Sequence, residues 1–179
     1  MHDVPDHPWK KVGTDTFTIK RRDYLVTVDD FSQFIEVDYL PMSDSETVVY
    51  KLKTHFAHHG IPATLISDNG QQFTSQHFQQ FTRAWNISHE TSSPGNSKAN
   101  GAAEAAVKTV MGMMKQCLKA KEDLYLGLLN IRNTPQGLNT SPAQRLMERR
   151  MKTLVPTNDP LLKPKQCSLD KDMTNVEQE

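Results

Sequence analysis

Cysteine is nearly absent from this chain of 179 residues: only Cys117 and Cys167 occur, with 49 residues between them. Two thiols at that spacing build neither a disulfide framework nor a C-x-x-C metal site, and Cys117 falls in a helical apolar stripe where a buried thiol is expected. No uninterrupted apolar run is long enough to cross a membrane, and nothing resembles a signal peptide, so the chain reads as soluble, intracellular and not secreted. Net charge is also lacking, with 21 Lys and Arg against 21 Asp and Glu. That balance excludes a uniformly basic protein, but it hides an uneven distribution. Residues 93–152 carry 10 basic and 4 acidic side chains, a net +6 that the rest of the chain cancels. Such an asymmetry permits a polyanion to lie against one part of the surface.

What is present suits one packed domain with a tail: 36% hydrophobic content over this length supports a single core. Residues 1–11 are polar and proline-punctuated and read as a leader. Residues 12–150 read as the domain. Residues 151–179, with prolines at 156, 160 and 164 and few apolar anchors, read as a flexible tail or a truncated carboxyl-terminal region.

From Val12 the pattern has period two, with Asp15, Phe17 and Ile19 on one face and Thr14, Thr16 and Thr18 on the other. Lys20-Arg21-Arg22-Asp23 reads as a hairpin connection between this strand and Tyr24–Val28, and Phe34–Tyr39 gives a third strand. Asp29 and Asp30, close to Ser32, read as a solvated turn. Ser43-Asp44-Ser45-Glu46 reads as a capping box that opens a helix through Val48, Val49, Leu52 and Phe56, stopped by Gly60 and Pro62. His55, His58 and His59 near its end suit the helix dipole and carry no assigned chemistry.

A short run, Thr64-Leu65-Ile66, follows as a strand covered on both faces, then a helix with Phe78, Phe81 and Trp85, then a strand at Ile87–Glu90. Thr91 to Gly101 has no apolar anchor and reads as a mobile loop. It leads into a helix from about Ala102 to Lys121, with Val107, Val110, Met114 and Leu118 as its core stripe and lysines on the outer side of Glu104. Two further helices follow, one through Leu124, Leu128 and Ile131, the other opened by Ser141-Pro142-Ala143-Gln144 as cap, first-turn proline and N3 glutamine.

Three carboxylates stand out against this frame. Asp68 ends the apolar run Leu65-Ile66-Ser67 at the carboxyl edge of a sheet, where open α/β folds hold ligands. Asp15 lies in line with a core face, where an uncompensated charge is costly and a metal would remove the cost. Glu104 opens the long helix. Each has an ordinary alternative: Asp68-Asn69-Gly70 as a turn, Asp15 as an edge cap, Glu104 and Lys108 as a helix pair. Between Asp68 and Glu104 lie 35 residues, and between Asp15 and Asp68 lie 52.

The chain resembles, over residues 8 to 156, the catalytic core of integrases of retroviruses and long-terminal-repeat retrotransposons, closest to the Ty3/gypsy type. The resemblance rests on Pro8-Trp9-Lys10-Lys11-Val12-Gly13-Thr14-Asp15, Tyr24-Leu25-Val26-Thr27-Val28-Asp29, His59-Gly60-Ile61-Pro62, Ser67-Asp68-Asn69-Gly70-Gln71-Gln72-Phe73, Asn100-Gly101-Ala102-Ala103-Glu104, Arg132-Asn133-Thr134-Pro135 and Ser141-Pro142-Ala143. It implies an α/β, RNase H-like fold with a mixed five-stranded sheet, its first three strands antiparallel, flanked by helices. It implies Asp15, Asp68 and Glu104 as the catalytic, metal-holding triad, with Asn69 and Gly70 supporting Asp68.

The implied cofactor is two Mg²⁺, replaceable by Mn²⁺, since hard cations take carboxylate oxygens and a metal pair serves phosphodiester chemistry. The implied reaction is 3′-end processing and strand transfer, placing retroelement DNA into target DNA. Partners would be double-stranded DNA, contacted by Lys98, Asn100, Lys108 and Lys115, and a second copy in a homodimer or higher oligomer. The place of action would be the nucleus. In the loop, Asn96-Ser97-Lys98-Ala99 stands where relatives carry a Tyr-Pro-Gln-Ser-like stretch. The amino-terminal His/Cys zinc domain of these integrases is not seen here. Two alternatives use the same acids or none: a transposase or nuclease of this fold, and a host-adopted module that only binds DNA or protein.

Overall fold

The computed structural model describes residues 4–93, 99–137 and 139–165. It contains β1 (Lys11–Ile19), β2 (Arg22–Asp29), β3 (Ile35–Leu40), α1 (Ser45–His59), β4 (Thr64–Ser67), α2 (Gln71–Thr74), α3 (Gln76–Ala84), β5 (Ser88–Thr91), α4 (Gly101–Ala120), α5 (Leu124–Asn133), α6 (Pro142–Met147) and α7 (Asp159–Leu162). The five strands form one sheet in the order β3-β2-β1-β4-β5. β1, β2 and β3 pair antiparallel, and β4 and β5 add in parallel. This is the mixed sheet that the resemblance implies.

The β1–β2 hairpin turns on Lys20 and Arg21 alone, both with positive φ, the backbone of a type I′ connection whose twist matches paired strands. Alternation along β1 then sends residues to two separate cores. On one face Val12 joins Leu25, Leu52, Phe56, Leu65, Phe73, Phe78 and Phe81, packed under α1 and α3. On the other, Phe17 and Ile19 join Val26, Val28, Ala103, Ala106, Val110 and Met114, packed under α4. Trp9, ahead of β1, is only 5% exposed and belongs to the first core.

Several local readings are corrected. α1 is opened by Asp44, whose carboxylate accepts from Thr47 N, with no reciprocal capping box. Glu46 falls one position short of where a box needs its acceptor. The complete box is at α6, where Ser141 Oγ accepts from Gln144 N and Gln144 Oε1 accepts from Ser141 N. Asp29 is not solvated: it is fully buried and accepts from Trp9 N, Phe31 N, Ser32 N and the Ser32 hydroxyl. A carboxylate supplied with that many donors can be buried and ties the turn after β2 to the segment before β1.

The buried stripe of α4 is Ala103, Ala106, Val110, Met114 and Cys117, while Val107 is half-buried and Leu118 is exposed. Small residues are inside because the helix approaches the sheet closely there. Past Pro156, α7 folds back so that Arg150 N donates to Leu161 O and Lys165 N to Glu148 O.

Candidate active site

Asp15 lies in the middle of β1 on the face shared with Gly13 and Phe17. The parallel pairing of β1 with β4 runs from Lys11↔Thr64 to Gly13↔Ile66. Continued two residues, the same offset sets Asp15 beside Asp68, which follows the end of β4. Sheet register therefore juxtaposes the first two acids.

Each aspartate is steadied by local backbone. Asp15 Oδ1 accepts from Thr16 N at 2.7 Å, and Asp68 Oδ1 accepts from Gly70 N at 2.9 Å. Asn69 Nδ2 donates to Ser92 O, and Ser92 N donates to Ser67 O, so the turn bearing Asp68 is stitched to the chain leaving β5. Gly70 therefore bonds Asp68 directly, while Asn69 holds the turn to the chain beyond β5.

The third acid arrives through a close contact between helix and strand. A Cβ on Gly13 would lie 3.0 Å from Asn100 Oδ1 and 3.2 Å from Ala103 Cβ, so glycine lets the first turn of α4 settle on β1 without displacing either neighbour. Asn100 Nδ2 donates to Thr14 O, pinning the helix entrance to the same strand. Glu104 follows in that first turn, exposed, where a carboxylate also suits the positive end of the helix dipole.

Burial pushes the Asp15 carboxyl up to about 6, and repulsion from Asp68 and Glu104 adds to the rise, against the lowering bond from Thr16. Two like charges thus bear on one half-buried acid. The three acids do not form a tight cluster: among the described residues, the one trio of possible ligand atoms lying within 4.8 Å of one another is Glu36, His58 and His59, on the α1 side of the sheet. The donor set is carboxylate oxygen only, and the raised Asp15 proton affinity is what a nearby dication would reverse, so the residues fit a hard divalent metal.

The expected DNA contacts divide. Lys108 and Lys115 are exposed on α4, and Lys115 lines a groove with Lys20 and Lys119. Asn100 is corrected: it is 3% exposed, committed to β1, and its side chain is a structural pin. Lys98 lies outside the described residues. Reading by spacing missed Gly13, although an isolated glycine inside a strand is itself a signal of close backbone approach.

The integrase core domain model matches residues 5–97. The chain belongs to the integrase core domain family. An uncharacterized protein of Caenorhabditis elegans is 35% identical over 183 residues, covering 95% of this chain and 14% of that protein. The Gag-Pro-Pol polyprotein of sheep pulmonary adenomatosis virus is 31% identical over 119 residues, covering 66% of this chain and 7% of the polyprotein. This integrase core thus spans a small part of the relatives it matches. Among solved structures, the HTLV-2 integrase catalytic core domain in complex with magnesium, in a trimeric form, superposes with a TM-score of 0.64 at 20% identity, covering 78% of this chain and 97% of that one. That likeness establishes the RNase H-like fold. None of the described helices is long and apolar enough to cross a membrane.

Proposed function

We propose that this chain is the catalytic core of a Ty3/gypsy-type retrotransposon integrase, a polynucleotidyl transferase that cuts near DNA 3′ ends and joins them to target DNA. The observation that carries the reading is geometric: the β1–β4 register brings Asp68 beside Asp15, and the seat of α4 on β1 through Asn100 and Gly13 brings Glu104 to the same strand, so that two acids bear on the half-buried Asp15. Asp15, Asp68 and Glu104 would hold two Mg²⁺ or Mn²⁺, which when bound stabilise the attacking oxygen, the leaving oxygen and the phosphate charge. The magnesium complex of the HTLV-2 core supports that choice of ion.

The chain's own residues have separable tasks. Asp15 is fixed by Thr16 N and Asp68 by Gly70 N, so neither carboxylate must be reoriented when substrate arrives. Lys108, one turn beyond Glu104, is placed to hold a DNA phosphate beside the acids, and Lys115 with Lys20 and Lys119 extends the cationic track along α4. Double-stranded DNA and a second copy of the chain are the partners, with action in the nucleus.

The test is metal-dependent nicking and joining of DNA oligonucleotides. Asp68→Asn is expected to lower the rate by more than about 100-fold while leaving the fold intact, since loss of even an outer partner of a metal costs about 10–100-fold. Undiminished activity in that variant would sink the reading. Lys108→Ala should instead weaken DNA binding and flatten its salt dependence, reducing the slope of log K against log salt by about one.

A further inference from the structure

On the opposite face of the sheet, the last turn of α1 brings His58 and His59 over β3. His59 Nε2 lies 2.7 Å and His58 Nδ1 3.8 Å from the same atom, Glu36 Oε1, and all three atoms are within 4.8 Å of one another. We propose that Glu36, His58 and His59 form a second metal site, separate from the catalytic acids and selective for a borderline-soft divalent transition ion such as zinc.

Ligands about 2.0–2.1 Å from a tetrahedral ion stand roughly 3.4 Å apart, and the two measured separations bracket that value. Two imidazoles and one carboxylate suit zinc far better than magnesium, which demands oxygen donors. A fourth position is open to water, because His58 faces solvent at 58% exposure. The other two ligands are already held. The His59 ring lies between Trp9, 4.3 Å away, and Phe34, 5.5 Å away. The Arg132 guanidinium donates to Glu36 Oε2 and to Ile35 O, leaving Oε1 directed at the histidines. The ion would also sit at the carboxyl-terminal end of α1, where the helix dipole favours positive charge.

The Arg132 guanidinium, bonded to Glu36, opposes an incoming cation, so the site is expected to be weaker than a closed structural zinc centre. Bound metal would tie α1 to β3 and brace the sheet edge. The site stands or falls independently of the catalytic reading.

The test is titration of the untagged D68N/E104Q chain with Zn²⁺ against a chromogenic chelator, the substitutions removing the catalytic acids as competitors. One zinc per chain is expected, with no displacement by millimolar Mg²⁺. His58→Ala, at a solvent-facing position that folding does not need, should weaken binding at least tenfold and abolish the visible absorption of a Co²⁺-substituted sample. Absence of stoichiometric zinc, unchanged affinity in His58→Ala, or displacement by Mg²⁺ would each overturn the proposal.

Discussion

Asp15 on β1 and Glu36 on β3 are both half-buried carboxylates in one antiparallel array, on strands that flank β2, yet their surroundings drive them in opposite directions. Burial pushes Asp15 up to about 6, and its charged neighbours, Asp68 and Glu104, are acids that push it further. Burial acts on Glu36 as well, but the His59 hydrogen bond and the charges of Arg132, His55 and His59 outweigh it and hold the carboxyl down at about 2. Glu36 is thus charge-compensated by the protein itself. Asp15 has no such compensation: the charges that bear on it are of its own sign. An acid left uncompensated in this way is the better candidate for chemistry under the proposed function.

Replacing each acid by its amide should separate the two cases most sharply. Glu36→Gln removes a carboxylate whose lowered affinity for protons corresponds to about 3 kcal/mol of native-state preference, so a large fall in urea midpoint near pH 7 is expected. Because the folded value lies below the unfolded one, the stabilisation is present above about pH 4.5 and drains away as pH drops toward 2.

Asp15→Asn should act in reverse and more weakly. Its folded value is raised, so the native state loses stability as pH climbs from about 4 to about 6, and the amide escapes that loss. After allowing for screening by solvent at a partly exposed group, a gain of roughly 2 kcal/mol above pH 6 is expected, alongside complete loss of activity. An amide that stabilised neither more nor less at pH 7 than at pH 4 would break the contrast. The smallest effect in stability belongs to Gly13→Ala, which should cost about 1 kcal/mol by forcing α4 off β1. Its catalytic rate should fall further than that figure suggests, because displacing Glu104 by a fraction of an ångström spoils alignment.

Much of this was legible from residue order. The period-two pattern of β1 and the Ser141-Gln144 box carry their geometry in local chemistry, and a hairpin after Ile19 was legible too, although its connection is Lys20-Arg21 alone and not the four residues Lys20 to Asp23. What escaped was set by distant contacts. Asp29 looks like any turn aspartate until Trp9, twenty residues earlier, is seen donating to it. The inward stripe of α4 could not be ranked by hydrophobicity, since the helix meets the sheet through small residues at its start, Ala103 against Gly13, while Val107 is only half-buried and Leu118 is exposed. Asn100 looked like a solvent-facing loop residue for the same reason. The pairing of His58 and His59 with Glu36 depends on a strand and a helix end that no spacing rule relates.

The seat of α4 on β1 lies wholly on the helical side of the segment that joins β5 to it. Asn100, Ala103 and Gly13 set where the helix enters against the strand. The interval of 35 residues is therefore a matter of reach and not of measurement. Inserting residues ahead of Ala99 is expected to leave that anchorage, and with it the first turn that bears Glu104, in place.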